Sequence, residues 1–543
     1  MFSLAIAQTK RAFRTCLACF YRRHCCCTYP ALLFVILALC PLPAKAAADD
    51  VLTQHNDNAR TGAQTHETAL KPGNISATTF GRFYERQVDG QIITQPLYAG
   101  GLNILGKRSH NVVFVVTRKN IVYAFDADDL DTDPSHGLLW THPVTIEPAG
   151  PVPNMCPETR GPVGVTSTPV IDRASNTMYL VARKSDGTIW LHALDITTGA
   201  PKAGTPGAVQ VHANIGGLVF NQGLELNRAG LLFLNGAVVM GFSALNCDNP
   251  GWHGWVLAYR ASDLTRAGVF STTGQTGWGG GVWASGKGIV ADGTNGIYFQ
   301  TGNGSVGVGD HGESFVKLNL GPAPSYGLTL GNSYAVSNWN ALNGGDTDLG
   351  SSGPLLLPND RLAGGGKQGK IYVLNTTTMQ PSQNGPAPGP VPEGGSDGFR
   401  GFFNTWHDDP SQRTCMNAAI TQSVCYMPHP RYEESEIAGP NLHSGPIYWN
   451  GKLYAMPEND FIRAFDYDVG TGILSTSASV ASSVRPPDGM PGGALSLSAD
   501  GNSGVIWALF PKVDGQWENG PGVLVAFDAA NLKELWRDDD EIA

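Results

Sequence analysis

Residues Asn111 to Trp140 read NVVFVVTRKNIVYAFDADDLDTDPSHGLLW. An alternating apolar run, Val112 to Val116, is followed by a turn, a second such run from Ile121 to Phe125, an acidic turn and a short segment ending in Trp140. Period-two alternation puts successive side chains on opposite faces of a strand, so the stretch predicts a small antiparallel sheet. Such a sheet cannot bury its faces alone; stacked copies can.

Copies follow along the chain. Seven repeat units are expected, beginning with His110 to His142 and continuing with Val165 to Ala200, Leu231 to Phe270 and Gly286 to Leu320. The remaining three are Gly353 to Met379, Ser444 to Leu474 and Gly492 to Trp536, the last ending VLVAFDAANLKELW as an echo of the first. Regular repetition of short strands with tight turns predicts an all-β fold, a β-propeller of seven to eight four-stranded blades over residues 91–543. The 68 glycines and 36 prolines, with charged residues at only 15%, agree with many tight turns and few solvated helices.

Residues 1–46 read as a signal peptide. Lys10, Arg11, Arg14, Arg22 and Arg23 make a basic region, Ala31 to Leu39 an apolar one, and Ala44-Lys45-Ala46 a cleavage signal. A secreted or periplasmic protein is therefore expected, with no transmembrane segment, because no apolar run approaches the length of a membrane span. Leu37-Ala38-Leu39-Cys40 has the bulky Leu39 where a lipid-attachment box needs a small residue, which disfavours lipidation. Six of ten cysteines lie in this leader, leaving Cys156, Cys247, Cys415 and Cys425. In an oxidising compartment four cysteines allow three pairings, and Cys415 with Cys425 is the expected disulfide because one insertion, Gln380 to Asn441, holds both. The net charge of −10 and the lack of a basic cluster after the leader exclude a nucleic-acid surface.

Residues 47–90 contain QHNDNARTGAQ, Gln54 to Gln64, expected to be a hydrogen-bonded plug or clasp on one propeller face. Phe80 to Val88 reads as a lone outer strand that completes the last blade. In the sixth unit, His443, Glu458, Asp460 and Arg463 form a polar group, a candidate funnel site for binding or cleaving a sugar, set against ordinary ion pairing between blades. Trp252, Trp255, Trp278 and Trp283 crowd Gly-rich loops; they suit interblade packing or an aromatic platform for carbohydrate.

The VYAFDA and ALDITTG cores and the Trp-terminated outer strands resemble the pyrroloquinoline-quinone-like (quinoprotein alcohol dehydrogenase-like) propeller repeat. HNDNARTG, VDGQIITQPLY, HSGPIYWNG, ENDFIRAF and MPGGALSLSADG look like a group of secreted bacterial proteins with such repeats. That group usually carries one more repeat after the segment matching AFDAANLKELW, so the resemblance implies either a ring of seven that closes differently or an exposed sheet edge. It also implies calcium and pyrroloquinoline quinone as cofactors, with Asn303 in YFQTGNGS as a calcium ligand and Asp310 in GDHGESFVKLNL as the catalytic base. Against that chemistry, the chain after its leader has no adjacent Cys-Cys pair and no C-x-x-C-H haem site. The reading that results is an exported binding or scaffold propeller whose partner at the funnel is a small molecule, a glycan or a protein. Its alternatives are a quinone- and calcium-dependent alcohol or sugar oxidoreductase, and a glycan hydrolase or lyase.

Overall fold

The computed structural model describes residues 50–144, 161–245, 251–382, 414–415, 425–426, 441–487, 489–515 and 520–538. They form seven antiparallel sheets in chain order, which are the seven blades of a propeller. Blade 1 consists of Leu97–Asn103, Ser109–Val116, Ile121–Asp126 and Leu138–Pro143, each strand beside its sequence neighbour. Blades 2, 3 and 4 span residues 170–210, 225–271 and 290–335. Blades 5, 6 and 7 span residues 355–375, 447–481 and 494–537. Blade 5 has three described strands, blades 3 and 6 have five, and blade 7 reaches five with a strand from residues 63–64. The first unit therefore begins one strand earlier than the sequence pattern suggests, because Leu97–Asn103 carries two glycines that break the apolar alternation.

Alternation decides what packs where. In the second strand of blade 3, Val238 and Met240 join a core with Tyr179, Val181 and Leu191 of blade 2. Val239, between them, faces the other way and packs with Ile297 and Phe299 of blade 4. Both faces of a blade are thus buried, and such strands read as continuous apolar runs. Burying a side chain such as Phe114, 1% exposed between blades 1 and 2, contributes about 1.5–3 kcal/mol.

Residues 51–64 form the hub. Val51 exchanges backbone hydrogen bonds with Tyr98 of blade 1, and the Leu52 carbonyl accepts from Ile171 of blade 2. The Thr53 hydroxyl donates to the Leu231 carbonyl of blade 3. The carbonyls of Asn58, Ala59, Thr61 and Gly62 then accept from Ala291, Leu356, Tyr448 and Leu497 of blades 4, 5, 6 and 7. One short segment therefore bonds to every blade in order, ending as strand Ala63–Gln64 laid parallel to the first strand of blade 7. Its Arg60 is wholly buried and donates to the carbonyls of Gln54, Ile289 and Leu231.

Phe80–Val88 is not the strand expected. It makes no ladder; side chains carry its contacts instead, and they join blade 7 to blade 1. Phe80 packs on Trp507 and Trp536 of blade 7, with ring centroids 5.2 and 4.9 Å away. Tyr84 donates its hydroxyl to the Ala127 carbonyl of blade 1, and the Arg86 guanidinium donates to the carbonyls of Asp129 and Asp131. Among the described residues the ring has seven blades, closed by this joint and the hub.

A six-residue helix, Trp339–Gly344, precedes blade 5, and no helix among the described residues is long and apolar enough to cross a membrane. Strands Thr414–Cys415 and Cys425–Tyr426 pair antiparallel with Cys415 opposite Cys425. The side chains of that pair, Cys156, Cys247, the leader and most of Gln380 to Asn441 lie outside the described residues.

Candidate functional site

In an antiparallel blade the start of the first strand and the end of the second lie side by side, as Leu97 opposite Phe114 shows. The loops entering the first strand and leaving the second therefore share one propeller face. The polar groups singled out in the sequence come from those loops, as do several that were not.

On blade 4, Asn303 follows the second strand and is 4% exposed. Its backbone N–H donates to Asp348 Oδ1 at 2.9 Å and its Nδ2 to Asp346 Oδ1 at 2.7 Å, while its Oδ1 is buried without a partner. Asp346 and Asp348 enter blade 5, and Lys367 leaves that blade's second strand. The Lys367 amine lies 2.7 Å from Asp348 and 3.3 Å from Asp346. Burial alone would raise the pKa of Asp348 and lower that of Lys367; their pairing reverses both shifts and keeps both charged.

Glu313, fully buried on the same side, receives the Leu349 N–H on Oε2 at 2.7 Å and leaves Oε1 unpartnered. Burial, with the Asp348 charge adding to it, pushes its pKa well above the usual carboxyl value. On blade 3, Glu225 is likewise raised by burial and has an unpartnered Oε2.

The sixth-unit group divides into two pairs. His443 Nε2 lies 2.7 Å from Glu458 Oε1, and Arg463 clamps Asp460 through Nε and Nη2 at 2.6 and 2.8 Å. Asp310 stands apart from the Asn303 contacts. It is half-buried, accepts the Gly274 N–H at 2.7 Å, and its charge opposes the burial that lowers the pKa of His253 and His311. The acids that Asn303 meets are thus Asp346 and Asp348, not Asp310. Sequence reasoning missed both acids and Lys367, although DTD and GGGKQG occupy the loop positions that the repeat assigns to this face.

Near the axis a cavity of about 170 Å³ has Gln54 of the hub among its lining residues, with Arg118 and Arg228 from blades 1 and 3 and Thr166 and Thr168 from the approach to blade 2. Burial, then the Arg228 charge, lowers the pKa of Arg118. The Arg228 guanidinium lies 5.9 Å from the Trp283 ring centroid. A larger open groove, about 640 Å³, lies away from these groups between blades 2 and 3. Of the four tryptophans, Trp252 and Trp255 are core, Trp283 is half-buried and Trp278 is 41% exposed.

The residues present do not fit the calcium and quinone that the resemblance implies. A fixed ammonium group already meets the acids beside Asn303, whereas calcium takes six to eight oxygen ligands. Among the described residues no three His, Cys, Asp or Glu side chains gather as a metal-holding group. The axial cavity is also below the ~300 Å³ at which pockets for molecules of a quinone cofactor's size begin.

No family model matches the chain, and no curated protein matches it. Among solved structures it is similar to a quinohemoprotein alcohol dehydrogenase from Pseudomonas putida HK5, at 15% identity over 90% of this chain and 72% of that one, with a TM-score of 0.50. The quinohemoprotein alcohol dehydrogenase of Comamonas testosteroni matches at 15% identity over 91% and 73% of the two chains, TM-score 0.51. A europium-containing methanol dehydrogenase matches at 15% over 90% and 85%, TM-score 0.53. The chain has the quinoprotein dehydrogenase type of propeller fold.

Proposed function

We propose that this is a binding propeller whose axial funnel takes a small oxyanion, a carboxylate- or phosphate-bearing molecule. The observation that carries the reading is Arg118 and Arg228 lining one small cavity, where burial and mutual repulsion disfavour the charge on Arg118. An anion between them removes that penalty through charge-assisted hydrogen bonds, and Gln54, Thr166 and Thr168 supply further polar contacts. With residues 1–46 read as a signal peptide, the proposal sets this binding in the periplasm or outside the cell, which N-terminal sequencing of the exported protein tests. Calorimetric titration with acetate, oxalate, malonate and inorganic phosphate tests the function. Binding weakened by about tenfold or more in Arg118→Gln and Arg228→Gln supports it; no binding, or binding that both variants retain, refutes it.

A second reading is oxidation of an alcohol, the activity for which the alcohol and methanol dehydrogenases sharing this fold are named, or of a sugar. Glu313 favours it, because a buried carboxyl with a raised pKa and an unpartnered oxygen is what acid–base work requires. That reading needs the cavity to widen and Lys367 to yield the acids. Titration with pyrroloquinoline quinone and Ca²⁺, followed by a dye-linked assay on alcohols and sugars, separates the two. The glycan hydrolase reading has less support, since Glu458 and Asp460 are each engaged by a basic partner.

A further inference from the structure

Blades 3 and 4 present a second surface on the same propeller face, apart from the axial cavity. Trp278 is the exposed tryptophan of the four, and its backbone is fixed on both sides. Its N–H donates to Ser305 Oγ at 3.1 Å, and its carbonyl accepts from the Ser305 N–H at 2.9 Å. Beside it, Asp310 is held through one oxygen by the Gly274 N–H. A Cβ on Gly277, the residue before Trp278, would stand 2.5 Å from Asp310 Oδ1. Glycine there lets the carboxylate lie against the tryptophan-bearing loop.

That loop is tied to the next feature outward. Gln275 Nε2 donates to the Gly216 carbonyl at 2.6 Å, joining it to the hairpin of strands Asn214–Ile215 and Leu218–Val219. Val219 and Phe220 on the far side of that hairpin line the groove of about 640 Å³. Its other walls carry Arg183, Asp186, Thr188, Asn221 and Gln222. A groove of mixed lining thus runs up to the hairpin, and an exposed, backbone-anchored indole with a carboxylate beside it stands beyond.

We infer that this surface binds a neutral oligosaccharide or polysaccharide, with Trp278 as the stacking platform and Asp310 as an acceptor of sugar hydroxyls. A sugar ring offers one face of C–H groups and an edge of hydroxyl donors. An aromatic ring covers the first, and a carboxylate or amide accepts from the second. A peptide partner would want an apolar pocket for an anchor side chain. Here the groove sets amide, hydroxyl and charged side chains around Val219 and the buried Phe220, and the exposed aromatic contact beyond it is a flat ring. The inference stands on different residues from the oxyanion site.

The test is affinity gel electrophoresis and tryptophan-fluorescence titration of the full chain with laminarin, xylohexaose, cellohexaose and chitohexaose. One of these should retard the protein and change its fluorescence. Trp278→Ala should weaken that binding by about tenfold or more, and Asp310→Asn should weaken it without unfolding the chain. Trp278 is on the surface, so its variant is expected to keep the thermal transition of the parent. Absence of binding to all four probes overturns the inference, as does binding that survives both substitutions.

Discussion

Lys287 donates its amine hydrogen to the carbonyl oxygen of Arg60 at 2.9 Å, and both side chains are wholly removed from water. The bond fastens blade 4 to the hub at the residue through which the hub also holds blade 3. Burial, with help from the Arg60 charge, drives the Lys287 pKa well down, and burial brings Arg60 to about 10 against the opposing charge of Asp57. The arrangement persists because Arg60 donates to three carbonyls that have no water to turn to.

Arg60→Met should therefore cost about 3–5 kcal/mol, since it strips the buried carbonyls of Gln54 and Ile289 of this donor and leaves Leu231 only the Thr53 hydroxyl. Urea unfolding at neutral pH checks this. A loss under about 1 kcal/mol would show that the hub is dispensable.

Acid should weaken the fold through His192. Burial lowers its pKa from 6.5 to about 4, and its Nε2 has no partner. Below 6.5 the unfolded chain binds the proton and the folded one does not, so this stability is lost as pH falls from 6.5 towards 4. The full effect is on the order of 3 kcal/mol. Burial depresses His55 in the same direction. His192→Gln should flatten this acid limb in denaturation midpoints taken from pH 7 to 4; an unchanged slope would count against it.

Glu313 predicts the opposite trend. Its pKa is raised in the folded state, so above pH 4.5 the unfolded chain ionises first and stability declines as pH rises towards the folded pKa. Glu313→Gln, which mimics the protonated acid, should match the parent near pH 4 and exceed it increasingly towards pH 8. Parallel stability curves across that range would mean that the carboxyl is not held neutral.

Lys367→Met strands the buried Asp348, whose Oδ2 lies 2.7 Å from the lysine. Removing one partner of such a pair should cost about 3–5 kcal/mol. The further change Asp348→Asn in the same chain should recover much of that loss, because it removes the unpaired charge. A double variant as unstable as the single one would place the cost elsewhere.

Phe80→Ala tests the joint between blades 7 and 1. Phe80 is 6% exposed against two tryptophans, so truncation should cost about 3–4 kcal/mol and bare an apolar sheet face. Light scattering on gentle heating should show association earlier than in the parent. Unchanged behaviour would mean that the blades meet without this segment.

The amino-acid sequence by itself determined the blades. Period-two apolar runs, Gly- and Asn-rich turns and the echo of VYAFDA in VLVAFDA are local signals, and they place all seven repeat units on blades. Local pattern also marks the loops of the shared face, because loop positions follow from strand order. What the sequence leaves open is which loop residues meet. Asn303 and Asp310 are neighbours in the chain, yet a hairpin turns Asp310 to Gly274 while Asn303 reaches Asp348, 45 residues on. Phe80–Val88 alternates like a strand, but a ladder requires an unpaired edge, and here side-chain docking between two blades takes its place. The hub is the clearest case. QHNDNARTG shows a turn-rich polar stretch, whereas its carbonyls find partners on blades that fold hundreds of residues later. Short-range periodicity is written in the residues themselves; the pairing of buried polar groups across a ring exists only once the ring has closed, and the tertiary structure alone decided it.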